Sequence, residues 1–240
     1  MTATLHDTAT APPAHHSAAQ PGHRHIDIDG LVLCAEHYGA PYDLLAAALG
    51  AQPARLRGTV ARWRRAGYAA SGRLGPGPAW CWVTPAGMGA AGLGYHAGRP
   101  AIGRLAHIRA VLAARLWLQA SPAWHQGHAW WQAGRHIRAA RGGVGARHLP
   151  DAEIHWPSLA ASPYAGQVWA VEVELTPKPL ARTTKIISGL QGLARYAQVI
   201  YLTAPAARLV VAMAADALPA HGVPVVIRDL PPFALTPESV

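Results

Sequence analysis

Apolar residues recur along this chain at two spacings, and the change from one to the other divides it. From about residue 26 the spacing is helical. Leu31, Val32, Ala35 and Tyr38 mark a first helix near 28–38 that stops at Gly39, and a second runs from Tyr42 to Leu49 and stops at Gly50. A third opens at Pro53 and closes at Gly67, with Pro in the first turn and Gly after the last. On this helix Leu56, Val60 and Trp63 form one stripe, while Arg55, Arg57, Arg62, Arg64 and Arg65 cover the rest of the circumference. Strands then follow at Tyr68–Arg73 and Ala79–Val83, flanking Gly75-Pro76-Gly77-Pro78, the tip of a hairpin. Thr84-Pro85 caps and opens another helix.

Three short helices and a hairpin are the order of a winged helix-turn-helix, predicted over 26–95. Such a module lays the polar face of its last helix in the major groove and rests its hairpin on a phosphate backbone. Arg55, Arg57, Arg62, Arg64 and Arg65, with Arg73 in the hairpin, are therefore the candidate DNA contacts.

The stretch 96–145 is predicted to be mostly helical. Ile102, Leu105, Ile108, Leu112 and Leu116 recur at helical spacing, with Arg104, Arg109 and Arg115 off that stripe as a reserve basic face. Ser121-Pro122 starts a further helix, and Trp124, Trp130, Trp131 and Ile137 supply bulk for a core. His125 and His128 have no carboxylate or Cys beside them and are not read as a zinc pair.

Beyond 146 the period shortens. Asp151, Glu153 and His155 alternate with Ala152, Ile154 and Trp156 as on a strand. In the next strand, Val168–Leu175, Trp169, Val171, Val173 and Leu175 face one way and Glu172 and Glu174 the other. A helix over 180–196, a nearly continuous apolar strand over 198–203, a helix near 206–218 and a strand over 223–228 complete the order β-β-α-β-α-β. That order predicts an α+β or α/β fold with a mixed sheet flanked by helices.

Composition adds a partner class. The chain of 240 residues is 51% hydrophobic and carries a formal net charge of +9, as expected of a folded protein with a basic surface that meets a polyanion. Residues 1–25 are rich in Ala, Thr, Pro and His without periodicity and are read as a disordered leader, and 235–240 as a tail. Cys34 and Cys81 suggest neither a metal site nor a disulfide framework. With no signal peptide and no apolar run of spanning length, the expectation is a cytoplasmic protein off the membrane.

The acids are distributed unevenly. Between Asp43 and Asp216 there are four, Asp151, Glu153, Glu172 and Glu174, against nineteen Arg and Lys, and the two lysines of the chain, Lys178 and Lys185, follow directly. Carboxylates grouped within a basic surround suit metal-dependent cleavage of a polyanion: they hold a hard divalent cation, Mg2+ or Mn2+, while the arginines hold nucleic acid.

Pro150-Asp151, then Glu172-x-Glu174 on an apolar strand followed by a helix, resembles the PD-(D/E)XK nuclease superfamily. The whole chain is similar to the replication-relaxation proteins of actinobacterial plasmids and integrative elements, which join a winged helix to such a domain. The matching stretches are Gly67 through Gly87, Leu105-Ala106-His107, Pro150-Asp151, Trp169 through Lys178, and Tyr196 through Thr203. The resemblance implies a DNA-binding protein of a mobile element with a metal-dependent nuclease or nickase site. Asp151 and Glu172 would be the magnesium ligands, and Glu174 a further ligand or the group that orients water. Glu174 stands where the motif usually has Lys, so either Lys178 or Lys185 takes the lysine's role of stabilising phosphate charge or the site runs without a lysine. The segment Gly134–Arg138 lacks the Glu often found on the preceding helix. The implied organisation is a winged helix over 26–95, a connector with the first nuclease-domain helices over 96–145, and the PD-(D/E)XK-like domain over 146–234. The implied partners are DNA, a replication initiator or relaxase, and a second copy of the chain. The alternative is a winged-helix regulator that retains the nuclease fold without catalysis, because chemistry belongs to a site and not to a scaffold.

Overall fold

Gly39 and Gly67, both with positive φ, end the first and last of three short helices in the N-terminal part of the chain. The computed structural model describes residues 23–141, 148–158, 162–219 and 222–235. The helices are α1 (His23–Glu36), α2 (Tyr42–Ala48) and α3 (Pro53–Arg65). α1 takes in the last residues of the expected leader; the remainder of it, and most of the expected tail, lies outside the described residues. β1 (Ala40–Pro41), β2 (Ala69–Gly72) and β3 (Trp80–Val83) form an antiparallel sheet in the order β1-β3-β2. β1 was not expected: two residues ending in Pro give no alternation to read. Thr84 then accepts the Gly87 amide at 3.2 Å and caps α4 (Pro85–Ala90).

The second sheet has five strands in the order β4-β5-β6-β7-β8: β4 (Trp130–Ala133), β5 (Ala152–His155), β6 (Val168–Glu174), β7 (Gln198–Thr203) and β8 (Val225–Asp229). The pairs β4–β5 and β5–β6 are antiparallel, and β6–β7 and β7–β8 are parallel. The protein is thus an α+β molecule with a mixed sheet flanked by helices, as the residue pattern predicts. The expected helical stretch 96–145 needs a correction. It holds α5 (Leu105–Gln119), α6 (Pro122–Gln126) and α7 (Gly134–Arg141), but Trp130–Ala133 is the edge strand β4. His128, at φ 46°, turns the chain out of α6 into that strand, and Trp130 lies half-buried with its ring stacked on His155 at 4.0 Å.

α5 packs on the face of the sheet formed by Ile154, Val171, Val173, Ile200 and Leu202. The opposite face, Ala170, Val199 and Tyr201, is covered by α8 (Leu180–Gln191) and α9 (Pro205–Asp216). The first of these apolar clusters continues into Leu45, Val60 and Trp63, so the N-terminal helices and the sheet share a core. A short helix, α10 (Pro232–Leu235), packs on α5.

Two of the three arginines of the expected reserve basic face are not surface cations. Arg109 is buried and pairs with Asp43 at 2.6 Å, and it also donates to the Phe233 carbonyl at 3.0 Å. Arg115 pairs with Glu36 at 2.6 Å. Both tie α5 to the N-terminal helices, and only Arg104 of the three is exposed.

Candidate carboxylate site

Asp151 immediately precedes β5, and Glu172 stands opposite it on β6, one step beyond the Ala152–Val171 pair. Asp151 is fixed from two sides. One carboxylate oxygen meets His107 Nε2 of α5 at 2.9 Å, and the other accepts the Val173 amide at 3.0 Å. The backbone holds it as well, because the Gly134 amide donates to the Asp151 carbonyl at 2.8 Å. Glu172 is buried and meets His148 Nε2 at 2.8 Å. Glu174, two residues on and on the same strand face, is buried and forms an ion pair with Lys178.

The electrostatics separate the two facing acids. Burial pushes the Asp151 carboxyl up, but His107, the Val173 amide and His148 outweigh it, so it lies below the ordinary value. Burial and the neighbouring charge of Asp151 push Glu172 up to about 7, against the opposing pull of His148 and Lys178. His148 and His107 are both raised by their carboxylate partners despite desolvation. Tyr201, on β7 in register with Glu172, has a buried hydroxyl with no hydrogen-bond partner among the described residues. Its ionisation is pushed up by burial and by the charges of Glu172, Glu174 and Asp151.

Asp151, Glu172, Glu174 and Lys178 therefore meet at one place between β5, β6 and the turn after β6. Lys185 does not: it is exposed on α8 and makes no ion pair with these acids among the described residues. Glu153 belongs to a different cluster. It is fully buried between Arg141 at 2.7 Å, Arg195 at 2.6 Å, His155 at 3.1 Å and the Tyr196 hydroxyl. Arginines neutralise this acid, whereas Asp151, Glu172 and Glu174 have no arginine ion pair among the described residues. Sequence reasoning missed His107, His148 and Tyr201 as parts of the site. The signals were the presence of His107 and Tyr201 within stretches that carry the resemblance and the nearness of His148 to Pro150-Asp151.

Whether these residues suit a hard cation turns on their donors. No group of three or more His, Cys, Asp and Glu is arranged to hold a metal among the described residues. Magnesium, however, is commonly held by one or two carboxylates, with water and substrate phosphate filling the remaining positions. Two facing oxygen donors, one of them hard to ionise because of its burial and the charge of the other, fit that requirement. His107 and His148 would each have to release a carboxylate oxygen.

The candidate DNA-contacting residues lie elsewhere. Arg55, Arg57, Arg62, Arg64 and Arg65 are all exposed on α3, whose Leu56, Val60 and Trp63 are buried. Arg62 also donates to Thr59 at 3.1 Å. Arg73 is exposed at the β2–β3 hairpin and donates to the Gly77 carbonyl at 3.3 Å.

Compared with family models, curated proteins and solved structures, the chain gives no match. No helix among the described residues is long and apolar enough to cross a membrane.

Proposed function

We propose that this chain is a cytoplasmic DNA-binding protein of a mobile element, with a winged-helix module over 26–95 and a PD-(D/E)XK-like, metal-dependent nuclease or nickase site. The observation that carries the reading is the meeting of Asp151 and Glu172 across β5 and β6, with Glu174 and Lys178 beside them. Support for the first module comes from α1, α2, α3 and the β2–β3 hairpin following in winged-helix order, with the exposed arginines on α3. The mixed sheet with both carboxylates at the β5–β6 pair agrees with the nuclease resemblance.

In this reading Asp151 and Glu172 hold Mg2+ or Mn2+, which supplies a Lewis acid for phosphodiester hydrolysis. Glu172 must lose its proton for this, and Lys178 favours that loss by its charge. Glu174, paired with Lys178, is a further ligand or orients water. The α3 and hairpin arginines hold the duplex through its phosphates. A replication initiator or relaxase and a second copy of the chain are the protein partners this reading names.

One observation favours the non-catalytic alternative: His107, His148 and Lys178 already satisfy the three carboxylates. Calorimetry with Mn2+, paired with a cleavage assay on plasmid DNA, separates the two. The nuclease reading expects Mn2+ binding and metal-dependent nicking or cleavage, both lost in Asp151→Asn and Glu172→Gln. Binding without cleavage supports the regulator or a partner-dependent enzyme. No Mn2+ binding by the wild type would leave the winged-helix regulator alone.

A further inference from the structure

Tyr38 has an unusual backbone. It is a non-glycine residue at φ 63°, a conformation that often marks a functional constraint. Its ring lies beneath two guanidinium groups, with the Arg135 carbon 4.2 Å and the Arg104 carbon 5.4 Å from the ring centroid. Arg135 also lies 5.0 Å from the centroid of Tyr95, so an arginine bridges two tyrosines. Arg135 is held there by the carbonyls of Ala35, at 2.6 Å, and His96.

Tyr38 and Arg135 form a wall shared by two cavities. The outer one is an open pocket of ≈ 370 Å³ bordered by Tyr95, Gly98 and Arg99. The inner one is a crevice of ≈ 30 Å³ that reaches Arg104, His107, Arg138 and Asp151. Arg99, Arg104 and Arg138 are exposed and have no acidic partner among the described residues. The acids on these walls are already engaged, Glu36 by Arg115 at 2.6 Å and Asp151 by His107 at 2.9 Å. The cleft formed around these two cavities is therefore cationic and lined with aromatic rings, and its inner crevice touches Asp151 of the carboxylate site.

We propose that this cleft binds an unpaired nucleic-acid strand, one nucleotide seated in the outer pocket beside Tyr95 and its phosphates on Arg99, Arg104 and Arg138, leading toward Asp151. The pocket has the size of a small-molecule site, which an unpaired nucleotide can enter and a duplex cannot. Base–aromatic stacking with flanking cations is how single strands are held without sequence preference. The inference rests on the reading of Asp151 as part of the reactive site and adds the substrate: an unpaired strand enters here, while duplex DNA binds α3.

The test is fluorescence anisotropy on the full chain without divalent metal, using labelled oligothymidylate and a labelled duplex. Arg99→Ala with Arg138→Ala should weaken the single strand roughly tenfold and lower its salt slope, with duplex affinity changed less than about twofold. Arg57→Ala with Arg64→Ala should do the reverse. Tyr95→Phe should retain single-strand affinity and Tyr95→Leu lose it, with thermal melts confirming that each variant folds. Unchanged single-strand affinity in the Arg99/Arg138 variant overturns the proposal. Competition by thymidine monophosphate as strong as that by the oligonucleotide overturns the strand assignment and gives the pocket to a free nucleotide. Mn2+ binding is measured separately. Its absence with single-strand affinity intact removes the nuclease reading and leaves the cleft, whereas Mn2+ binding without single-strand binding does the opposite.

Discussion

Glu172 stands across from Asp151 on adjacent strands, and burial, reinforced by that carboxylate, lifts the Glu172 carboxyl from 4.5 to about 7. A raised acid binds its proton more tightly in the folded than in the unfolded state, so this group makes stability fall as pH rises from about 4.5 to 7. His107 and His148 act in the same sense: their raised values give stability below 6.5 that is lost as pH climbs through them. Asp151 acts oppositely, since its lowered value gives stability above 3.8 that is lost only in stronger acid.

Glu172→Gln should therefore flatten the decline. The shift corresponds to a cost on the order of 3 kcal/mol for the ionised form at pH 8. Urea melts at pH 5 and pH 8 should show a smaller loss in the variant than in the wild type. Parallel losses would mean that Glu172 titrates like an exposed acid.

Glu153 should matter to stability and not to the reactive site. Glu153→Ala removes the carboxylate shared by Arg141, Arg195, His155 and Tyr196, and breaking a buried ion pair costs roughly 3 kcal/mol. Mn2+ binding to the folded variant should equal that of the wild type. A loss of Mn2+ binding without a loss of stability would move Glu153 into the site.

Arg57→Ala with Arg64→Ala should weaken duplex binding at every sequence and lower the log–log salt slope by about one unit per lost phosphate contact. Both side chains are exposed, so folding should be untouched. Titration of a duplex at several salt concentrations gives the slope. An unchanged slope and affinity would take the duplex off α3. Burial of Arg109 and the pairing of Arg115 with Glu36 leave Arg99, Arg104 and Arg138 as the remaining basic face near α5.

Elements with a long, one-sided period were legible in the sequence: α3, with its Leu56, Val60 and Trp63 stripe, and β6, with its alternating glutamates. β4 was not, because four residues carrying two tryptophans look the same in a helical core as on an edge strand. The acids Asp151, Glu172 and Glu174 stood out because the chain has so few. Their imidazoles did not: His107 comes from a helix 44 residues before Asp151, and no local pattern encodes such a meeting. The same holds for Glu153, whose partner Arg195 is 42 residues away.

Gly134→Ala tests how closely the backbone fixes Asp151. A Cβ at Gly134 would lie 2.5 Å from the Asp151 carbonyl oxygen, which also accepts the Gly134 amide. Neither backbone can yield without moving α7 or the start of β5. A loss of about 1–3 kcal/mol is expected from such overpacking. Mn2+ affinity should fall as Asp151 shifts relative to Glu172. Full stability in a urea melt would show that the helix slides freely and that the Asp151 backbone is not held by this contact.

Tyr201→Phe isolates the buried hydroxyl beside the carboxylates. That hydroxyl has no partner among the described residues, and a buried polar group left unpaired is destabilising, so removing it should leave the metal-free protein as stable as wild type or about 1 kcal/mol more stable. The aromatic ring keeps its place between β7 and the α8–α9 layer, so packing is unchanged. A loss of stability on substitution would show that the hydroxyl donates to a carboxylate in solution, with Glu172, its register partner, the nearest acceptor by topology. In that case the Glu172→Gln variant should make the same substitution less costly, and the double-mutant cycle would give the strength of the bond.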